Sequence, residues 1–293
     1  MATRPRTRSF CVAWLLPLLL LAPAARAATT PNAYAVLAKM KAALDPSRPS
    51  LRTMTFTVHS AAFNEDTKIV ARQVRKNLHD GAASITVVTE PESLKGVALL
   101  VTEQPGKANV EYVYYPALRR SRRLVGGGIF ESFLGTEFTY ADLGLVDVRD
   151  RSLELLAIKP RHGGKAYEIR ETPKNRSYYS RVVDWVAVDT GLPLERDHYD
   201  VSNALWRKQV FEDVATIDGI PTPMRVRIDD LETGDWSEFK VTDLHYDIEV
   251  ADELFDPEKL REIARAPGSF LPALVDRNEK PAGSTSSPIS SRP

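Results

Sequence analysis

The sequence predicts a mainly β protein with a few helices (α+β), built as one curved antiparallel sheet around an apolar interior. Three observations predict it. About a dozen segments read as strands separated by Gly, Pro or Asn. Several of these are apolar on one face and charged on the other. Only one clear amphipathic helix and one helix-like loop are available to cover that apolar surface. A sheet this wide twists and curls rather than lying flat, so the pattern predicts a closed or half-closed barrel. Its interior is expected to exceed what its own side chains fill, and larger barrels enclose ligand cavities.

The elements follow in chain order. Residues 1–27 read as a cleaved secretory signal peptide. Arg4, Arg6 and Arg8 precede the short apolar run VAWLLPLLLLA, and ARA at 25–27 is a small-x-small cleavage site. Residues 32–45 place Tyr34, Leu37, Met40 and Leu44 at helical spacing. TMTFTVHS then alternates, with Met54, Phe56 and Val58 on one side. TKIVARQVRK, ASITVVTE, GVALLVTE and NVEYVYYP continue the strands, the last setting Tyr112 and Tyr114 on one face. LELLAIKP, KAYEIRET, SRVVDWVAVD, LPLERDHYD, LWRKQVFEDVATID, PTPMRVRID and SEFKVTDLHYD complete them. In PTPMRVRID, Met224, Val226 and Ile228 alternate with Arg225, Arg227 and Asp229. DTGLPLE, DGIPTP and ETGDW are turn signals. The fold is expected to span 28–266. Residues 267–293 are low-complexity, rich in Pro, Ser and Gly, and expected to be disordered.

Composition narrows the function classes. The whole chain has 39 basic and 39 acidic residues. Cleavage removes Arg4, Arg6, Arg8 and Arg26 and no acid, leaving a net charge of about −4. That argues against nucleic acid as a partner. The one cysteine, Cys11, lies before the apolar run, so it is not placed for lipid anchoring, and the mature chain has no thiol for a disulfide or a metal. The five histidines are scattered without metal-ligand spacing. No nucleophile elbow or paired-acid signature is present. No catalytic residue, metal or cofactor is therefore assigned.

The stretch YYPALRRSRRLVGGGIFESFLGTEFTYADL carries the most unusual pattern. An aromatic strand meets Pro116, then Arg119, Arg120, Arg122 and Arg123, then three glycines at 126–128. Phe130, Phe133, Leu134 and Phe138 follow. With VDWVAVDTGLPLERDHYD, the strand pair after it, and IEVADELFDPEKL, this stretch resembles the LolA/LolB-like superfamily, and more closely its exported outer membrane lipoprotein-sorting branch. The resemblance covers nearly all of the mature chain. It implies a concave, incomplete antiparallel barrel with helices plugging its mouth, and an inner surface that holds acyl chains or another apolar ligand. It implies a monomeric periplasmic carrier or chaperone of lipid or lipid-modified protein, with an inner-membrane transporter or outer-membrane acceptor as partner.

On this reading the cavity wall comprises Met54, Phe56, Val58, Tyr112, Tyr114, Met224, Val226 and Ile228. The four arginines, with Phe130, Phe133, Leu134 and Phe138, form a lid or mouth hinged at the glycines. If that segment is extended, Arg120 and Arg122 share one face. Guanidinium groups there would suit an anionic head group; the plainer alternative pairs them with Glu131, Glu137 or Asp142 on a solvated face. Two rival functions stand beside the carrier: a non-catalytic accessory protein that binds an envelope transporter or assembly machine, and an envelope lipid hydrolase.

Overall fold

The structure is a computed structural model that describes residues 31–104, 106–145, 151–174 and 177–266. The expected signal peptide and tail lie outside the described residues. Helix α1 (Ala33–Leu44) leads into β1 (Ser50–Ser60), β2 (Glu65–Leu78), β3 (Gly81–Glu90), β4 (Ala98–Thr102), β5 (Val110–Tyr115) and β6 (Arg120–Leu124). A crossover segment carries the short helix α2 (Tyr140–Leu143). The chain continues through β7 (Arg151–Arg161), β8 (Gly164–Pro173), β9 (Arg181–Ala187), β10 (Pro193–Tyr199), β11 (Leu205–Ile217), β12 (Ile220–Asp230) and β13 (Trp236–Tyr246), then α3 (Leu260–Arg265).

All thirteen strands form one antiparallel sheet, ordered β6-β5-β4-β3-β2-β1-β13-β12-β11-β10-β9-β8-β7. The first six strands meander outward from β1. The crossover carries the chain to the far edge, and β7 to β13 meander back until β13 pairs with β1. β6 and β7 remain edges, so the curved sheet is open and the closed-barrel alternative does not apply. The strand that the sequence segments do not include is β6, the arginine stretch.

Turn chemistry matches the signals. Asp218 and Gly219 both have positive φ, 49° and 83°, the two-residue turn whose twist suits a hairpin. Gly191, at φ 79°, lies under the stem of Lys39, where a Cβ would sit 2.8 Å from Cγ. The Lys39 ammonium donates to the carbonyls of Val188 and Asp189, each at 2.8 Å. These contacts fix α1 over the β9–β10 turn. The buried stripe of α1 is Ala33, Val36, Leu37 and Met40, packed on Leu153, Leu155, Tyr167, Ile169 and Val186. Tyr34, expected on that stripe, is 52% exposed, because it lies a residue outside the 33-36-37-40 spacing.

Both faces of β3 and β4 are covered, which is why ITVV and ALLV read as unbroken apolar runs. On the outer face, Leu254, Phe255, Leu260 and Ile263 of the C-terminal segment pack on Leu51, Val74, Ile85, Leu100 and Tyr114. On the inner face the crossover supplies the cover: Phe133, Phe138, Tyr140, Leu143 and Leu145 pack on Met54, Phe56, Ile69, Leu99, Val226, Ile228 and Phe239.

Candidate functional site

The inner face is the candidate site, and its register divides it into apolar and polar parts. Cross-strand partners align Ile169, Asp184, Arg196, Gln209, Ile228 and Ser237 in one row from β8 to β13. The β12 end continues into the apolar trough of β13, β1 and β2. The middle of the row is polar and buried.

Met54, Phe56, Val226 and Ile228 lie buried in the trough, with Val58 and Met224 half-buried beside them. The crossover fills most of it. The ring of Phe56 lies 6.0 Å from Phe133, 5.9 Å from Phe138 and 5.5 Å from Phe239. The Phe138 carbonyl is fixed locally: it accepts from Phe133 N–H at 2.8 Å and from Thr136 Oγ1 at 3.2 Å. Thr139 caps α2 reciprocally with Asp142, whose carboxylate accepts from Thr139 N–H at 2.8 Å. The sheet then clamps the segment: Arg207 pairs with the Glu137 carboxylate at 2.8 Å, Glu137 N–H donates to Ser237 Oγ at 2.9 Å, and the hydroxyls of Tyr115 and Tyr140 meet.

Tyr112 and Tyr114 are a correction. They pack on the outer face with the C-terminal segment. Alternation puts them on one side together but cannot say which side. The inner side of β5 is carried by Val113 and Tyr115. Of the expected lid residues, Phe133 and Phe138 are fully buried and Leu134 is half-buried against the same core. Phe130 stacks at 6.5 Å on Tyr178. Arg119, Arg120, Arg122 and Arg123 are all exposed.

A cavity of about 90 Å³ remains between α1, α2 and the sheet, lined by Leu44, Arg52, Asp142, Leu143, Gln209, Phe211, Val226, Phe239 and Tyr246. Arg52 donates to Gln73 at 2.8 Å, and no carboxylate pairs with it among the described residues. Burial of its guanidinium, with Arg75 beside it, pushes its pKa down to about 10.

The polar part escaped sequence reasoning. Asp184 accepts from Arg196 at 2.7 Å, and Glu171 accepts from Arg151. Burial, partly opposed by Arg196 and reinforced by Glu171, pushes Asp184 up to about 8. Burial likewise lowers His198 to about 4. Asp184 also faces the Glu171 carboxyl, and His198 faces the Gln209 side chain, but neither contact reaches good hydrogen-bond geometry, so both ring nitrogens of His198, Gln209 Oε1 and Asp184 Oδ2 are poorly satisfied. The signal was the inward parity of Arg196 and His198 in LERDHY, visible only once the strand's inner face was known. No group of three metal-ligating side chains occurs among the described residues.

A family model described as "Uncharacterized protein" matches residues 80–262, more than half of the chain. The chain belongs to that family. No curated protein matches it. Solved structures place its fold. An outer membrane lipoprotein-sorting protein domain from Vibrio parahaemolyticus superposes with a TM-score of 0.71 at 22% identity, covering 78% of this chain and 97% of that one. A DUF1329 family protein from Desulfovibrio piger gives 0.70 at 26% identity, covering 79% and 100%. A LolA superfamily protein from Nitrosomonas europaea gives 0.63 at 20%, covering 78% and 99%. The fold is therefore LolA-like, and the resemblance read from the three sequence stretches holds at the level of the fold. No helix among the described residues is long and apolar enough to cross a membrane.

Proposed function

We propose that the protein is a non-enzymatic periplasmic carrier, exported by its signal peptide, that shields the acyl chains of a lipid or lipid-modified protein on its inner face. It would take cargo from an inner-membrane donor and pass it toward the outer membrane. The observation that carries this reading is the apolar trough whose cover is a connecting segment, not part of the sheet. Met54, Phe56, Val58, Met224, Val226 and Ile228 would form the wall, and Phe133, Leu134 and Phe138 a displaceable lid hinged near Gly126, with Phe130 at its edge. The exposed arginines would stand at the mouth, and Arg52 would face an anionic group of the cargo from within.

A volume of about 90 Å³ equals roughly three waters' share of liquid, far below the several hundred Å³ of an ordinary ligand pocket. Loading therefore requires the crossover to move. The exchange is balanced: exposing one phenylalanine costs about 1.5–3 kcal/mol, and each buried methylene returns about 0.8 kcal/mol. Roughly two to four methylenes offset one displaced ring.

Native mass spectrometry of protein purified from the periplasm, followed by organic extraction, tests the proposal. A stoichiometric phospholipid, fatty acid or lipopeptide is expected. A clean mass, together with no binding of a fluorescent fatty acid, would overturn it.

A further inference from the structure

β6 is a free edge of the sheet, five residues long, and four of its residues are exposed. Arg122 places Nη2 2.5 Å from the Glu131 carboxylate. Arg119, Arg120 and Arg123 form no ion pair among the described residues. Register sets Arg122 opposite Val113 and Arg120 opposite Tyr115, so both side chains leave toward the inner side, about 7 Å apart along the strand. Arg123, opposite Tyr112, leaves toward the outer side. Leu118 and Val125, each 67% exposed, bracket the strand.

We propose that β6 is a docking edge for an acidic, extended segment of a partner protein, which joins the sheet as a further strand. The unpaired edge backbone supplies directional hydrogen bonds, the source of affinity in strand addition. The arginines select the occupant. They repel a second copy of β6, as edge charges commonly do, and they attract a strand with acids at alternate positions. Glu131 on Arg122 shows how a carboxylate seats on this strand. Arg120, two residues along on the same side, offers the same fork to an acid two residues along the incoming chain. The exposed apolar residues at both ends suit apolar flanks. This edge adjoins the mouth of the trough, but strand addition uses its backbone and its exposed arginines, and stands whether or not the trough carries lipid.

The test titrates the purified full chain with a dye-labelled heptapeptide of alternating valine and glutamate. Three comparisons accompany it: the same peptide with lysine for glutamate, the glutamate peptide with a central proline, and phosphatidylglycerol vesicles. The glutamate peptide is expected to bind, to weaken as salt rises, and to slow amide exchange across residues 120–124. R120E/R122E, with both side chains exposed and circular dichroism unchanged, is expected to lose about tenfold in affinity and to prefer the lysine peptide. Equal binding of the proline peptide, or unchanged amide exchange, would overturn strand addition, since proline cannot join a ladder. Vesicle binding without peptide binding would overturn it in favour of an anionic lipid surface.

Discussion

Asp184 shows how one buried residue couples this fold to pH. It faces Arg196 and Glu171, with Arg151, His198, Gln209 and Asp142 around the same inner patch. Burial, with Glu171 beside it, keeps its carboxyl protonated up to about pH 8. In the unfolded chain it ionises near its ordinary value. A group raised in the folded state contributes stability that is complete below the unfolded pKa and is lost as pH rises through the folded one. Stability is therefore expected to fall between pH 6.5 and 8, by at most about 1.4 kcal/mol per pH unit for one proton. His198 works in the opposite sense at lower pH: its folded pKa is lowered to about 4 by burial, so its contribution is lost as pH falls from 6.5 toward 4. The two oppose each other there; in the upper window the other shifted group is His79, raised by its hydrogen bond to Asp80, so the comparison with an Asp184 variant is what assigns the slope. Urea midpoints of the wild type should drop across pH 6.5–8, and those of Asp184→Asn should drop less. The same slope in both proteins would assign the titration elsewhere.

At the scale of elements, the crossover is the part whose removal should matter most. Phe138 is fully buried and lies 5.2 Å from Phe239, so Phe138→Ala deletes a ring from a close-packed centre. It is expected to cost about 3–5 kcal/mol and to open space in the trough beside Phe239, tightening the binding of a fluorescent fatty acid. A thermal midpoint equal to the wild type's would mean that the segment is not packed as described. Much of this architecture was legible in sequence. Alternation in MTFTV and MRVRI marks an inner face because the polar partners of those apolar residues, threonines in the first and arginines in the second, turn to the other side. The aromatic crossover announced itself by composition. Tyr112 and Tyr114 were misplaced because β5 is apolar on both sides, one covered by the crossover and the other by the α3 segment, and period-two patterning cannot rank two apolar faces. The row of Asp184, Arg196 and Gln209 was hidden for a different reason. Its members sit on three strands, and only pairing register brings them into line. The arginine strand was legible as charge, but its place at the sheet edge depends on where the meander ends.

The molecule as a whole joins its two meanders twice. The β1–β13 ladder binds them along eleven-residue strands, and the crossover spans the inner face between the open edges. The first junction carries continuous backbone hydrogen bonds. The second rests on side-chain packing, the Arg207–Glu137 pair and a few isolated hydrogen bonds. If loading moves one of them, it is the crossover, since opening the ladder breaks every cross-strand bond at once. That distinction can be tested by tying the crossover down. A Cβ at Gly144 would lie 3.6 Å from Val101 Cγ2, a position a cysteine sulfur at 101 can take, so the two sulfurs can be brought into bonding reach, and the φ of −76° at Gly144 suits any residue. Val101→Cys with Gly144→Cys therefore staples the C-terminal end of α2 to β4 without touching the β1–β13 ladder. The oxidised protein is expected to fold and to lose fatty-acid binding, and reduction is expected to restore it. Equal binding before and after reduction would show that cargo reaches the trough with the crossover in place, and the movable element would then have to be sought in α1, which lines the same cavity through Leu44.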